Sequence, residues 1–149
     1  MDHPSLNIVR AADIDTHAQE FSHPWNENSQ MRGMQLARSV GLKRTGVNFI
    51  RVPAGKESFV YHSHQNEEEW IYILEGRAIA TIDGADYEVG PGDFIGFPAP
   101  SVAHNLKNPG PVDLVYLVGG ENRDVEVTEF PRDRKRVTRN GKLFDVTDL

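Results

Sequence analysis

From Gly46 onward, short apolar runs alternate with turn residues: GVNFIRV, PAGKES, FVYHSH, QNEE, EWIYIL, EG, RAIATI, DG, ADYEV, GPGD, FIGF, PAPSV, AHNLKN, PGP and VDLVYLV. Runs this short, punctuated this often, predict an all-β sandwich or barrel and leave no room for helices. Asp83-Gly84 lies between two strand-type runs and fits a type I′ hairpin turn, which requires positive φ at both central positions. Gly90-Pro91-Gly92 marks a second reversal. The pattern gives about eight strands between residues 46 and 119, with further strands expected from MQLAR and VEVTEF.

The first thirty residues break this rhythm. Pro4, His23-Pro24 and the stretch from Asn26 to Asn28 interrupt any period, and AADIDTHAQEF reads as a short helix in a peripheral arm. The expected organisation is one domain: an N-terminal arm over 1–33, a barrel over 34–120 and a C-terminal extension over 121–149. QLARSVGLKRTG has the apolar spacing of a helix-turn-helix fragment, but GVNFIRV follows at once and reads as strand, so an edge strand and loop are expected there.

Composition narrows the class. With 38% hydrophobic and 26% charged residues, the 149-residue chain can bury a core. No apolar run reaches bilayer length, and MDHPSLNIVRAADID has neither a basic n-region nor an apolar h-region. The chain has no cysteine, which excludes disulfides and thiolate metal sites and leaves histidine and carboxylate as metal ligands. Cytoplasmic residence without membrane attachment is the resulting expectation. A net charge of −6 argues against a general nucleic-acid binder. The one basic stretch, RDRKRVTRNGK over 132–142, reads as a solvated tail.

The segment YHSHQNEEEWIYILEG, 61–76, carries the most chemistry. In an extended strand His62 and His64 share one face, about 6.6 Å apart at the backbone, and their imidazoles can converge on one point. QNEE is polar enough for a hairpin loop, and a reversal there lays the strand starting at Glu69 beside the histidine strand, with Ile71 and Ile73 inward and Trp70, Tyr72 and Leu74 outward. His104, at the same parity as Leu106, is the fourth candidate. Three imidazoles and a carboxylate suit one divalent transition metal: Fe, Mn, Ni, Co or Zn. Glu67 and Glu68 are placed in the exposed loop, and His3, His17 and His23 at the surface. Arg51 reads either as an inward anchor for a substrate carboxylate or phosphate or as an outward residue.

Taken together, these residues resemble the two motifs of a small single-domain cupin. His62, His64, Glu69 and Gly76 match the later part of the first motif; Gly92, Pro98, His104 and Asn108 match the second. Gly55 lies one residue farther from the first histidine than is usual, and the turn before His104 carries Pro100 and one extra residue. The resemblance covers roughly residues 45–120 and implies a double-stranded β-helix, or jelly-roll barrel, with the metal held by His62, His64, Glu69 and His104. It also implies a metal-dependent enzyme acting on a small oxygenated molecule, of dioxygenase, decarboxylase or sugar isomerase type. The alternative is a non-catalytic cupin that binds a sugar or organic acid. A homodimer is expected, because such barrels cover edge strands and outward aromatics with a second copy.

Overall fold

The computed structural model of the protein describes residues 5–149, so His3 lies outside the described residues. Among the described residues, two short helices, α1 (Ala11–His17) and α2 (Leu36–Ser39), accompany thirteen strands. The strands are β1 (Gln19–Phe21), β2 (Met31–Gln35), β3 (Thr45–Val52), β4 (Ser63–His64), β5 (Glu69–Glu75), β6 (Ala78–Ile82) and β7 (Ala85–Val89). They continue with β8 (Phe94–Phe97), β9 (His104–Lys107), β10 (Leu114–Glu121), β11 (Val125–Phe130), β12 (Lys135–Asn140) and β13 (Leu143–Asp148). The expected all-β jelly-roll is what forms. MQLAR divides between β2 and the single turn α2, and nothing there builds a helix-turn-helix.

Antiparallel pairing arranges the strands as a six-stranded sheet, β1-β2-β3-β10-β5-β8, a four-stranded sheet, β13-β12-β11-β4, and a three-stranded sheet, β7-β6-β9. His62 and His104 join the two smaller sheets through an isolated bridge. Ile50, Ile73 and Tyr116 of the large sheet pack with Ala78, Ala80 and Leu106 of the three-stranded one to form the core. Each fully buried Ile or Leu of this kind contributes roughly 1.5–3 kcal/mol by leaving water. The period-two reading of β5 holds: Ile71 and Ile73 are buried, while Tyr72 and Leu74 are exposed. The hairpin between β6 and β7 turns on Asp83 and Gly84, both at positive φ (49° and 79°).

Two expectations are corrected by the topology. The loop after His64 does not fold β5 back beside β4; β4 pairs with β11, and β5 lies in the large sheet between β10 and β8. The basic stretch is not a free tail. It turns at 132–134 and continues as β12, whose Arg136 and Arg139 pair with Glu129 and Glu67. No helix among the described residues is long and apolar enough to cross a membrane.

Candidate metal centre

His62 and His104 are brought side by side by reciprocal backbone hydrogen bonds, His62 N to His104 O (3.1 Å) and His104 N to His62 O (2.8 Å). His64 is fixed by a similar exchange with Ser101: its N–H donates to Ser101 Oγ (2.8 Å), and its carbonyl accepts from Ser101 N (2.8 Å). Glu69 arrives from the first residue of β5 in the six-stranded sheet, paired with Gly120 on one side and Phe97 on the other. The structure thus brings all four predicted residues together, with the carboxylate reaching across from a different sheet.

The donor atoms lie within 4.8 Å of one another. His62 Nε2 and His64 Nε2 are 3.1 Å apart, and Glu69 Oε2 is 2.8 Å from His64 Nε2, 3.3 Å from His104 Nε2 and 3.8 Å from His62 Nε2. Two donors about 2.1 Å from one ion and at right angles to each other are separated by about 3 Å, so these spacings fit a cation held between them. The tautomers fit as well. His62 Nδ1 donates to Val60 O (2.6 Å) and His104 Nδ1 to Val102 O (2.9 Å), so each neutral ring turns its Nε2 lone pair toward the others. Phe97 stacks on His104 with ring centroids 3.6 Å apart and walls the site on the core side.

Electrostatics follow from this packing. Burial opposes the charge on Glu69, but the imidazoles of His104, His62 and His64 gathered around its carboxylate outweigh it and hold its carboxyl well below the usual range. Burial likewise opposes an imidazolium at His64, yet the hydrogen bond to Glu69 and the charges of Glu69, Glu126 and Glu67 raise its pKa above 6.5. The cluster therefore attracts positive charge in the absence of any ion, and three imidazoles with one carboxylate can hold a divalent transition metal.

Above the cluster opens a cavity of about 310 Å³, lined in part by Asn48, Phe59, Glu67, Val118, Thr128 and Phe130. Arg51 is absent from it. Ile50 and Val52 take the inward face of β3, so Arg51 projects outward to Asp15 (3.4 Å) and Asp113 (3.6 Å); the inward alternative of the sequence reading is not the one realised. His17 is exposed as expected, whereas His23 is not a plain surface residue. His23 lines the cavity and packs against Trp25 and Phe130, with ring centroids 5.4 and 5.6 Å away. Burial first, then the neighbouring His62, lowers its pKa against the pull of Asp133.

Glu67 and Glu126 are the residues missed. Glu67, expected in an exposed loop, is 8% exposed and lines the cavity. Its Oε2 accepts from Arg139 Nη2 (2.7 Å) and Arg123 N (2.8 Å). Glu126, 2% exposed, accepts backbone N–H groups from Asn66, Glu67 and Val127 at 2.7–2.8 Å. Burial alone raises the Glu126 pKa, and these three hydrogen bonds with His64 nearby bring it below 4.5. Glu67, Glu126 and His64 form a second group of potential donors behind the first.

Comparison with known proteins agrees with the fold. Residues 48–120 match the Cupin domain family model. A crystal structure from Acidithiobacillus ferrooxidans, described as a putative sugar phosphate isomerase, is 34% identical, with a TM-score of 0.89 over 95% of this chain and 91% of that one. A sugar phosphate isomerase from a cupin superfamily, from Silicibacter pomeroyi, is 25% identical, with a TM-score of 0.76 over 79% of this chain and 76% of that one. An uncharacterized protein of Methanocaldococcus jannaschii is 42% identical over 77 residues, which span 52% of this chain and 59% of that protein. By its matched domain and by a likeness that runs nearly its whole length, the chain belongs to the cupin family.

Proposed function

We propose that the protein is a metal-dependent enzyme of sugar isomerase type, acting on a small polyhydroxylated carbonyl compound, with the metal held by His62, His64, Glu69 and His104. The observation that carries this reading is the second buried carboxylate, Glu67, on the wall of a cavity that also opens onto His62, His64 and Glu69. Interconversion of an aldose and a ketose moves a proton between adjacent carbons, which calls for an acid/base group beside a polarised carbonyl. A divalent cation, when bound, supplies a Lewis acid that polarises a carbonyl and its neighbouring hydroxyl.

The chain's own groups supply the rest. Glu67 Oε2 is occupied by Arg139 and Arg123, which fixes the carboxylate and leaves Oε1 to take and return the proton. Asn48 and Thr128 offer polar contacts for hydroxyls, while Phe59, Val118 and Phe130 give the cavity apolar walls. The isomerase descriptions carried by the relatives from A. ferrooxidans and S. pomeroyi support the same reaction class. The homodimer belongs to this reading too, supported by the exposed edge strand β13 with Leu143 and Phe144 on it, and light scattering measures it directly.

The test is proton exchange. Protein loaded in turn with Fe, Mn, Ni, Co and Zn is incubated in D₂O with a panel of aldoses and aldose phosphates, and NMR follows loss of the C2 proton and appearance of ketose. Metal-dependent exchange that disappears in Glu67→Gln, with metal content unchanged, supports the isomerase. The pairing of Glu67 with Arg139 ties up one of its carboxylate oxygens and favours a second reading, a binding module, which saturable binding without exchange in every metal form would establish instead.

A further inference from the structure

The three histidines differ in what stands behind them. His62 and His104 each donate Nδ1–H to a carbonyl two residues earlier, Val60 O and Val102 O, supplied by their own chain segment. His64 Nδ1 is buried and has no aligned hydrogen-bond partner. The carboxylate facing it is Glu126, with Oε2 3.4 Å away, on the strand paired directly with β4 through Thr128 and His64.

We propose that Glu126 is a positioning residue for the metal centre: its carboxylate accepts the Nδ1 proton of His64, fixing the tautomer whose Nε2 is free to bind a cation. This rests on the metal reading above. An imidazole that gives its Nε2 lone pair to a cation must carry its proton on Nδ1, and a buried N–H needs an acceptor. Glu126 is suited to that place because Asn66, Glu67 and Val127 hold its two oxygens rigidly, so only a small tilt of the His64 ring closes the remaining gap. A carboxylate behind the ring also makes His64 a stronger donor than its two neighbours. Strand β11, outside the matched cupin segment, thereby takes part in setting metal affinity.

The experiment is a double-mutant cycle on Co(II) affinity, measured by chelator competition in the wild type, Glu126→Gln, His64→Gln and the double variant. Glu126→Gln is expected to weaken Co(II) binding about tenfold to hundredfold in the wild-type background and to change it little once His64 is gone. Equal losses in both backgrounds would mean that Glu126 only supports the loop at Asn66 and Glu67, and would overturn the proposal. Should Glu126→Gln fail to fold, a long-range ¹H–¹⁵N spectrum of the Zn-loaded wild type decides: a slowly exchanging, downfield Nδ1 proton on His64 supports the proposal, and an unprotonated Nδ1 overturns it. If neither Co(II) nor Zn(II) binds the wild type, and Glu69→Gln changes nothing, the metal reading itself fails.

Discussion

Arg139 and Glu67 are joined by a 2.7 Å ion pair that spans 72 positions of the chain, from the penultimate strand to the loop between β4 and β5. The same guanidinium donates to Arg123 O (2.7 Å), so one side chain ties β12 and the loop before β11 to the wall of the cavity.

Arg139→Gln is expected to destabilise the fold by roughly 1–2 kcal/mol, between the small value of an exposed ion pair and the larger cost of stranding a buried carboxylate. The Arg139 side chain is 28% exposed and the Glu67 side chain 11%, which places the pair between those limits. For a chain of this size the loss corresponds to a fall in melting temperature of about 2–8 °C. A thermal melt checks it, and an unchanged melt would show that the pair contributes nothing.

That ion pair also shows where local sequence pattern stopped being informative. The alternation of His62 and His64, and of Ile71 and Ile73, depends only on strand pleat, so neighbouring residues suffice to place them. Glu69 was expected to reach the histidines from an adjacent hairpin strand, yet it reaches them from another sheet, because the strand pairing of β5 is decided by β8 and β10. Glu67 looked exposed because QNEE is polar, and its burial depends on a cation 72 positions away. In VEVTEF the valines suggest an inward face, but Val125 is 47% exposed and Glu126 is buried. Three N–H groups reverse that preference, two of them from the loop at Asn66 and Glu67, and nothing in VEVTEF announces their approach.

Glu69→Gln should weaken divalent-metal affinity by more than about tenfold while leaving a folded protein, because the change keeps the side chain's shape and removes only the anion shared by the three histidines. Metal content after dialysis and circular dichroism read the two quantities separately. Wholesale unfolding of the variant would instead mark the metal as a staple of the barrel.

Gly76→Ala is expected to cost at least about 2 kcal/mol, the sum of a left-handed backbone and a collision. Gly76 has φ +77°, and a Cβ there would run into the backbone oxygen of Asp113 and lie 3.0 Å from Leu114 Cα. Neither neighbour is the end of a flexible side chain, so the strain cannot be relieved by a rotamer change. Urea denaturation measures the loss, and a midpoint equal to that of the wild type would contradict the geometry.

The pH dependence of the metal-free protein should rise and fall around a maximum between about pH 4.5 and 6.5. Glu69 and Glu126 have folded pKa values below 4.5, so they contribute stability that is present above that pH and is lost as the solution is acidified through their folded values. His64 has a folded pKa above 6.5, so its contribution is full below 6.5 and is lost as pH rises through the folded value. Metal reverses the alkaline limb, because a cation takes the His64 Nε2 lone pair and so competes with the proton there. Melting temperatures of chelator-treated protein across pH 3–9 should therefore peak in the mildly acidic range, and added Co(II) or Zn(II) should stabilise more with each step toward alkaline pH. In a His23→Gln background, which removes the opposite slope contributed by that histidine's lowered pKa, a metal-free profile that climbs steadily to pH 8 would show that His64 is not held between Glu69 and Glu126 as the structure places it.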